Sequence, residues 1–288
     1  MNAGEPVRRV VPAMRWVFVV GSALVFVAGV SLYVLPTRTD RLFAWTIALP
    51  LTAAFLGALY WSAALLAALS VRGRVWAWVR LGVPGVTVFV VLTLAATLLH
   101  LDLFHLDDPD PVPRIAGWLW LAVYSLQPLA LLVSILAQRR ARGQDPPRTA
   151  PLPRWLRTLG AAEAAILLSY GVGLFALPET VGRWWPWALT PLTARATAAW
   201  LVAVGVIVAQ GAWENDYLRI RVAGPPYILL ALLQLGALAR FPDQLRWGEA
   251  GPWLYVAFLV TLLLVGAATT AGGARAGGRV LAPKPSPQ

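Results

Sequence analysis

The sequence predicts an all-α integral membrane protein with about eight transmembrane helices, arranged as two parallel four-helix repeats. The 288-residue chain is 59% hydrophobic and only 13% charged, a balance that ordinary soluble domains do not show. Apolar runs of about 18–25 residues recur, and each is long enough to cross a hydrocarbon core of roughly 30 Å. The same order of landmark residues also occurs twice along the chain.

The internal repeat pairs residues 15–137 with residues 156–271. The matches occur in the same order in both copies: Leu35-Pro36 with Leu177-Pro178, Trp45 with Trp187, Pro50 with Pro191, Arg80 with Arg221 and Asp102 with Asp243. An even number of helices in each copy gives both copies the same orientation. The predicted relation is therefore a rotation about an axis along the membrane normal.

Eight predicted spans follow the apolar runs in chain order, at residues 16–35, 45–69, 81–99, 115–138, 156–177, 193–212, 222–239 and 253–271. The third and seventh begin with prolines, which the first turn of a helix tolerates because its amides lack intrahelical partners. The predicted organisation is a first repeat at 1–138, a cytoplasmic Pro/Arg-rich linker at 139–155, a second repeat at 156–271 and a disordered cytoplasmic tail at 272–288.

Charged residues predict the orientation in the membrane. Arginines concentrate before the first span and after the second, fourth and eighth, whereas the connection after the third span holds Asp102, Asp107, Asp108 and Asp110. The positive-inside rule then predicts that both termini lie in the cytoplasm. The expected location is the cell (inner or plasma) membrane. Most of the 15 tryptophans fall near predicted span ends, as in an interfacial belt. The net charge of +11 is thus explained by the membrane topology. Because no module of aromatic and basic residues accompanies the arginines, nucleic acid is not expected as a partner.

One short block resembles a known group of sequences. Residues Phe43-Ala44-Trp45-Thr46, followed by a block from Pro50 to Ala58, resemble uncharacterised multi-spanning membrane proteins of high-GC bacteria. The close resemblance covers only this block, and the rest of the chain is similar in general hydropathy alone. It implies no activity, cofactor or site.

Polar residues inside the spans are the first candidates for a site, because burying them in a membrane is costly. Glu163 lies about two turns into the fifth span among Gly and Ala residues, and it is opposite Gly21 in the first copy. It is interpreted as a protonatable or cation-binding group, as the partner of an arginine such as Arg80 or Arg221, or as an acid near the interface. Further ligand-site candidates are Gln127, Gln234 and Tyr170, although such groups more often hold helices together.

Two arginines form the second candidate site. Arg80 and Arg221 recur at the mouths of the third and seventh spans. They are interpreted either as interfacial anchors or as a pair that binds anionic headgroups or an anionic solute. Glu214 and Asp216 precede Arg221 and have no counterpart in the first copy, so local ion pairs argue against two equivalent anion sites.

The outer loop after the third span contains both histidines of the chain. His100, Asp102 and His105 are weak metal-ligand candidates, because imidazole and carboxylate groups bind divalent cations. Only Asp102 has a counterpart in the second copy, namely Asp243, which favours a role in ending the helix. The sequence therefore predicts no metal site.

Several chemistries are not indicated. The chain has no cysteine, its only lysine is Lys284, and no P-loop or nucleophile elbow is present. No cofactor is expected, and an enzyme acting on a lipid or isoprenoid is the least favoured class. A small transporter or a lipid or small-molecule binder, with its site between the repeats, is favoured over a non-catalytic scaffold or accessory subunit. The bilayer is the expected partner, and a protein partner or a second copy of the chain stays open.

Overall fold

The protein is an all-α polytopic membrane protein. The computed structural model describes residues 6–281, without the side chains of 279–281. The longer helices are α1 (Pro12–Gly29, continued by a π-helical turn at Val30–Val34), α3 (Pro50–Arg72), α4 (Gly82–Leu99), α5 (Pro111–Arg139), α6 (Arg154–Ala176), α8 (Pro191–Glu214), α10 (Gly224–Arg240) and α11 (Ala250–Leu281). The short ones are α2 (Thr39–Leu42), α7 (Pro178–Val181) and α9 (Tyr217–Ile220).

Seven helices in the described part of the chain are long and apolar enough to cross a membrane: α1 with its π-helical turn, α3, α4, α5, α6, α8 and α11. The remaining predicted span falls on α10, which has 17 residues and packs against α3 and α11. The prediction of a multi-spanning all-α protein is confirmed. The count of eight spans stays a prediction.

Prolines and polar caps explain where several helices begin. Pro12, Pro50, Pro111 and Pro191 each occupy the first turn of a long helix, where an amide has no intrahelical partner. Before α8, the Thr190 side chain accepts a hydrogen bond from the Thr193 amide in a capping box. These starts are local properties of the sequence.

The long helices follow a similar order in both halves of the chain. In each half a long helix leads through a short helix to a second long helix, and two further long helices follow. The second half has in addition the short helix α9 before its third long helix. α1 packs on α3 and α6 packs on α8 within the halves, whereas α4 packs on α8 and α10 packs on α3 between them. The third long helix of each half therefore contacts the other half. The rotation that relates the halves stays a prediction.

Tight helix crossings hold the two halves together. Gly85 of α4 lies so close to α8 that an added Cβ atom would be 2.4 Å from the Ile207 side chain and 2.6 Å from the Ala203 carbonyl oxygen. Small residues allow such approach, and van der Waals packing drives helix association in lipid. Leu126 of α5, Val27 of α1 and Leu254 of α11 are among the apolar side chains left exposed on the bundle surface. Such a surface suits contact with lipid.

The segment between α5 and α6 is held in place by hydrogen bonds, and the last helix continues beyond residue 271. Residues between α5 and α6 are held by hydrogen bonds, as when the Thr149 and Ala150 amides donate to Asp216 at 2.7 and 2.8 Å. α11 continues to Leu281, so the predicted boundary at residue 271 falls inside a helix. At Gly272 the helix lies against the Tyr217 ring, where an added Cβ atom would be 2.1 Å from the ring. Residues 282–288 of the predicted tail lie outside the described residues.

Candidate functional site

A cavity of about 130 Å³ lies between the two halves of the bundle, and it is named here the central cavity. Its walls come from α1, α3, α4 and α5 of the first half and from α8 and α10 of the second. Gly21 lines it from α1, Ser62 from α3, Tyr124 from α5, Trp200 from α8 and Tyr227 from α10. The cavity is close in volume to an engineered apolar cavity of roughly 150 Å³ that binds benzene or xenon. Its size therefore suits a small apolar group.

Aromatic side chains form part of the cavity wall. The rings of Phe89 and Trp200 lie 3.9 Å apart between centroids, and Tyr60 meets Trp200 edge to face at 5.0 Å. The hydroxyl groups of Tyr60 and Tyr124 are hydrogen-bonded to each other at 2.7 Å. Ser62 donates to the Ala58 carbonyl oxygen of its own helix at 2.8 Å. Tyr60 supports the wall through Tyr124, and the hydroxyls of Tyr124 and Ser62 are satisfied by the protein. Apart from the Gln127 amide, the wall therefore presents mainly carbon to a ligand.

Glu163 is buried between helices, with 5% of its surface exposed. The hydroxyl of Tyr227 on α10 donates a hydrogen bond to its Oε1 atom at 3.1 Å. The Oε2 atom is buried without a hydrogen-bond partner among the described residues. No arginine in the described range lies within ion-pair distance of this carboxyl group, so the interpretation as the partner of Arg80 or Arg221 was wrong.

Two small voids lie along the same pair of helices. One, of about 60 Å³, is lined by Gly160 and Tyr227; the other, of about 30 Å³, is lined by Leu167 and Leu230. Gly160, Glu163 and Leu167 share one face of α6, since residues three to four apart are neighbours on a helix. The Glu163–Tyr227 pair therefore lies between the two voids.

The other predicted ligand-site residues are dispersed. Gln127 lines the central cavity from α5. Gln234 is buried on α10, where its amide donates to the Phe55 carbonyl oxygen at 3.0 Å and its Oε1 atom has no partner among residues 6–281. The Tyr170 hydroxyl donates to the Val181 carbonyl oxygen at 3.3 Å. Gln127 thus shares the cavity with Tyr227, whereas Gln234 and Tyr170 mainly connect neighbouring segments.

Arg80 belongs to a partly buried ion cluster, named here the charge cluster, which consists of Arg80, Asp145, Glu214 and Arg219. Glu214 is 1% exposed and accepts hydrogen bonds from Arg80 Nε at 2.7 Å and from an Arg219 nitrogen at 2.6 Å. Arg80 also donates to Asp145 of the linker. Burial lowers the pKa of Arg80, whereas hydrogen bonds to Glu214 and Asp145 and their negative charges raise it. The second effect is the larger in sum, so the pKa of Arg80 lies above its ordinary value. The cluster ties the two halves and the linker together.

Arg221 has a different environment from Arg80. Its guanidinium group stacks over the Trp78 ring at 5.0 Å from the ring centroid. Within the described residues, no carboxylate lies within 4.0 Å of it, and burial lowers the pKa of Arg221. The predicted symmetric pair is therefore unequal: one arginine is neutralised and the other is not.

The two histidines, His100 and His105, contact other groups of the protein. Since arginine can only donate, Arg195 donates to Nε2 of His100 at 2.7 Å. His105 donates from Nδ1 to the Phe43 carbonyl oxygen at 3.0 Å, and its Nε2 lies 3.0 Å from the Thr46 hydroxyl. Residues 6–281 contain no group of three or more His, Asp or Glu side chains placed to hold a metal ion.

Sequence reasoning missed two of these partners. Tyr227 was not considered as the partner of Glu163, and Arg195 was not considered as the partner of His100. One signal was available for the first, because the offset that pairs Arg80 with Arg221 also places Tyr227 where the first copy has an aliphatic residue. No comparable signal exists for Arg195, since only the fold brings it to His100.

Comparison of the chain with protein-family models, with curated proteins and with solved structures finds no match.

Proposed function

We propose that this protein binds an apolar small molecule, or the apolar part of a lipid, in the central cavity between its two halves. The observation that carries the proposal is the cavity itself, about 130 Å³ in volume and walled by helices of both halves. Ligand sites in proteins are commonly concave, mostly apolar and equipped with few polar groups. The hydroxyls of Tyr60, Tyr124 and Ser62 are already hydrogen-bonded within the protein, which favours an apolar ligand.

The two copies of the predicted repeat differ beside the central cavity. Alignment of the first copy with the second pairs Gly21 with Glu163 and Val86 with Tyr227. Gly21 and Val86 line the central cavity, whereas Glu163 and Tyr227 are hydrogen-bonded to each other between two smaller voids. The difference supports a single ligand site, on the Gly21 side of the central cavity, because the glycine leaves space there.

Glu163 is the proposed site of a proton or a cation coupled to ligand binding. A charged carboxylate in hydrocarbon is costly, and one oxygen of this group is buried without a partner among the described residues. Tyr227 contacts Glu163 and also lines the central cavity. A change in the charge of Glu163 therefore acts on a ligand in the central cavity through the Tyr227 side chain. This arrangement supports a small transporter or a ligand-binding membrane protein.

A photoreactive fatty acid that carries a diazirine group tests the ligand site. After illumination in lipid nanodiscs, adducts are expected on the Ser62 and Tyr124 residues themselves. Their side chains are 6% and 4% exposed, so a probe in the surrounding lipid does not reach them. Adducts confined to exposed residues of the bundle surface would contradict the proposal.

Two leucine substitutions at glycines provide the matched comparison. Gly21→Leu fills the cavity from α1, where an added Cβ atom meets nothing within 4 Å, and it should remove most of the adducts. Gly248→Leu also meets nothing within 4 Å but lies outside the cavity, so it should leave the yield unchanged. Equal yields in both variants would refute the cavity as the site. Stable co-purification of a partner protein with an unlabelled cavity would favour the scaffold alternative.

We also propose that the protein lies in the cell membrane with both termini in the cytoplasm, on the asymmetry of its arginines. The chain lacks cysteine, so Asp107→Cys and Arg142→Cys each introduce a unique thiol at an exposed position. An impermeant thiol reagent applied to intact cells should label the first variant, and the second only after permeabilisation. The reverse pattern would overturn the orientation.

A further inference from the structure

A second concave surface lies at the end of the bundle where α3 ends and α10 begins. This surface, named here the terminal groove, has a volume of about 500 Å³. Arg72 and Gly73 line it from the end of α3, Arg221 lines it from the turn before α10, and Thr270 and Gly273 line it from α11. Among the residues that the structure describes, its lining includes the guanidinium groups of Arg72 and Arg221 and no acidic side chain.

The charge of Arg221 is not compensated by the described part of the protein. Its planar face is covered by Trp78, and no carboxylate lies within 4.0 Å of it in residues 6–281. Arg80, its counterpart in the predicted repeat, is paired with Glu214 and Asp145. A half-buried cation without a counter-ion loses hydration, and an anion in the groove would restore the balance.

The wall opposite the arginine is made of small residues. Gly273, Ala274 and Gly277 line the groove on α11. An added Cβ atom at Gly273 would be 2.7 Å from the Cβ atom of Arg221, and one at Gly277 would be 3.9 Å from its Nη1 atom. The α11 backbone therefore runs alongside the Arg221 side chain, with Gly277 near the guanidinium group. Arg72 is exposed at the same groove and provides a second set of donors.

We propose that the terminal groove binds a phosphate-type anion through Arg221 and Arg72. Guanidinium groups match the geometry of phosphate oxygens and form charge-assisted hydrogen bonds with them. The groove lies where the last turn of α3 meets the first turn of α10, so the phosphate of a lipid headgroup and free phosphate are both sources of this chemistry. The proposal is independent of the central cavity, since it depends on different residues.

The test measures lipid-dependent stabilisation of the full-length protein in a non-ionic detergent. Phosphatidylglycerol should raise the apparent unfolding temperature of the wild type in a saturable way, and phosphatidylcholine should not. Arg221→Gln should raise the half-saturating phosphatidylglycerol concentration by about tenfold, the effect of losing one charge-assisted contact. Arg72→Gln should raise it by about fivefold, as expected for one arginine near a membrane surface.

Arg74→Gln is the matched control, because Arg74 is exposed, lies two residues from Arg72 and is not part of the groove. It should leave the half-saturating concentration unchanged within about twofold, since a charge outside the groove acts only through a screened field. Equal effects of Arg72→Gln and Arg74→Gln would show a diffuse charge effect and overturn the proposal. Arg72 is exposed, so this comparison does not depend on the folding of Arg221→Gln.

Inorganic phosphate distinguishes the two sources of the anion. If millimolar phosphate stabilises the wild type and competes with phosphatidylglycerol, the groove binds a soluble phosphate. If only the lipid stabilises it, the groove binds a headgroup. Stabilisation by phosphatidylcholine equal to that by phosphatidylglycerol, or an Arg221→Gln variant that responds as the wild type does, would refute anion recognition by this groove.

Discussion

The charge cluster gives the sharpest prediction about how the halves are held together. The perturbation is Glu214→Gln, which keeps the size of the side chain and removes its negative charge. Glu214 is 1% exposed and lies 2.7 Å from a nitrogen of Arg80 and 2.6 Å from a nitrogen of Arg219. A glutamine can still accept a hydrogen bond at this position. It cannot neutralise the guanidinium groups of Arg219, which is buried, and of Arg80, whose side chain is 17% exposed.

The magnitude follows from the burial of the pair. Removing one partner of a buried ion pair costs about 3–5 kcal/mol, because an uncompensated charge remains. In proteins of about 150–250 residues, each kcal/mol of lost stability lowers the unfolding midpoint by about 2–4 °C. For this slightly longer chain, a loss of about 3–5 kcal/mol therefore corresponds to a fall of about 6–20 °C. Asp145 still faces Arg80, so the lower part of this range is expected.

The assay is thermal unfolding of the purified protein in one detergent, followed by tryptophan fluorescence. Glu249→Gln is the matched control, since Glu249 and Arg246 form an exposed pair at 3.6 Å. Exposed pairs contribute at most about 1 kcal/mol, so this variant should shift the midpoint by no more than about 4 °C. If Glu214→Gln shifts the midpoint no more than the control does, the cluster does not stabilise the fold.

A double-mutant cycle isolates the contact between the halves. Arg80→Gln and Glu214→Gln should each destabilise the protein, and the double variant should lose less than the sum of the two. A coupling energy of about 0.5–3 kcal/mol is typical of residues in one ion network. Strict additivity would show that Arg80 and Glu214 act independently, in contradiction to the direct contact between their side chains.

Three further predictions follow from packing, protonation and symmetry. Gly29→Ala should destabilise the protein by about 1–3 kcal/mol in chemical unfolding, because the new methyl group would lie 2.2 Å from the Trp61 ring. Gly21→Ala has open space and should have little effect; similar losses in the two variants would contradict the packing argument. Burial and the charge of Arg195 lower the pKa of His100 below its ordinary 6.5. The folded protein therefore disfavours the proton, and stability should be complete above pH 6.5 and fall as the pH decreases below it. His100→Gln should weaken this dependence, and an unchanged pH profile in that variant would refute the assignment. In an experimental structure, four helices of each half should superpose by a rotation about an axis near the membrane normal; an axis in the membrane plane would show that the repeat was misread.

Helix positions could be predicted from the sequence because each depends on local properties. Within hydrocarbon, every backbone amide and carbonyl must be satisfied inside the segment, so an apolar run of sufficient length forms a helix. First-turn prolines such as Pro50 and Pro191 then fix where helices begin. The sequence was less informative at the end of the chain. There the Gly-, Pro- and Ala-rich composition of residues 272–288 predicted disorder, but Gly272 is part of α11 and packs against Tyr217.

Site residues could be predicted only one at a time. Glu163 was identified from the cost of an acid in an apolar helix, and it is indeed buried. Its expected arginine partner was wrong, because Arg80 pairs with Glu214 and Tyr227 lies against Glu163. Gln127 was predicted as a ligand-site candidate and lines the central cavity, but the other helices that form this cavity could not be inferred from the sequence.

The sequence by itself determined that the chain is a multi-spanning helical membrane protein, where its helices lie and which of their polar residues are costly to bury. The tertiary structure decided that α4 crosses to α8, that Arg80 is neutralised while Arg221 is not, and that a cavity remains beside Gly21. Helix formation is decided by backbone hydrogen bonds within a few residues. Side-chain partners depend on the rotation and crossing of helices, which close packing between distant segments sets.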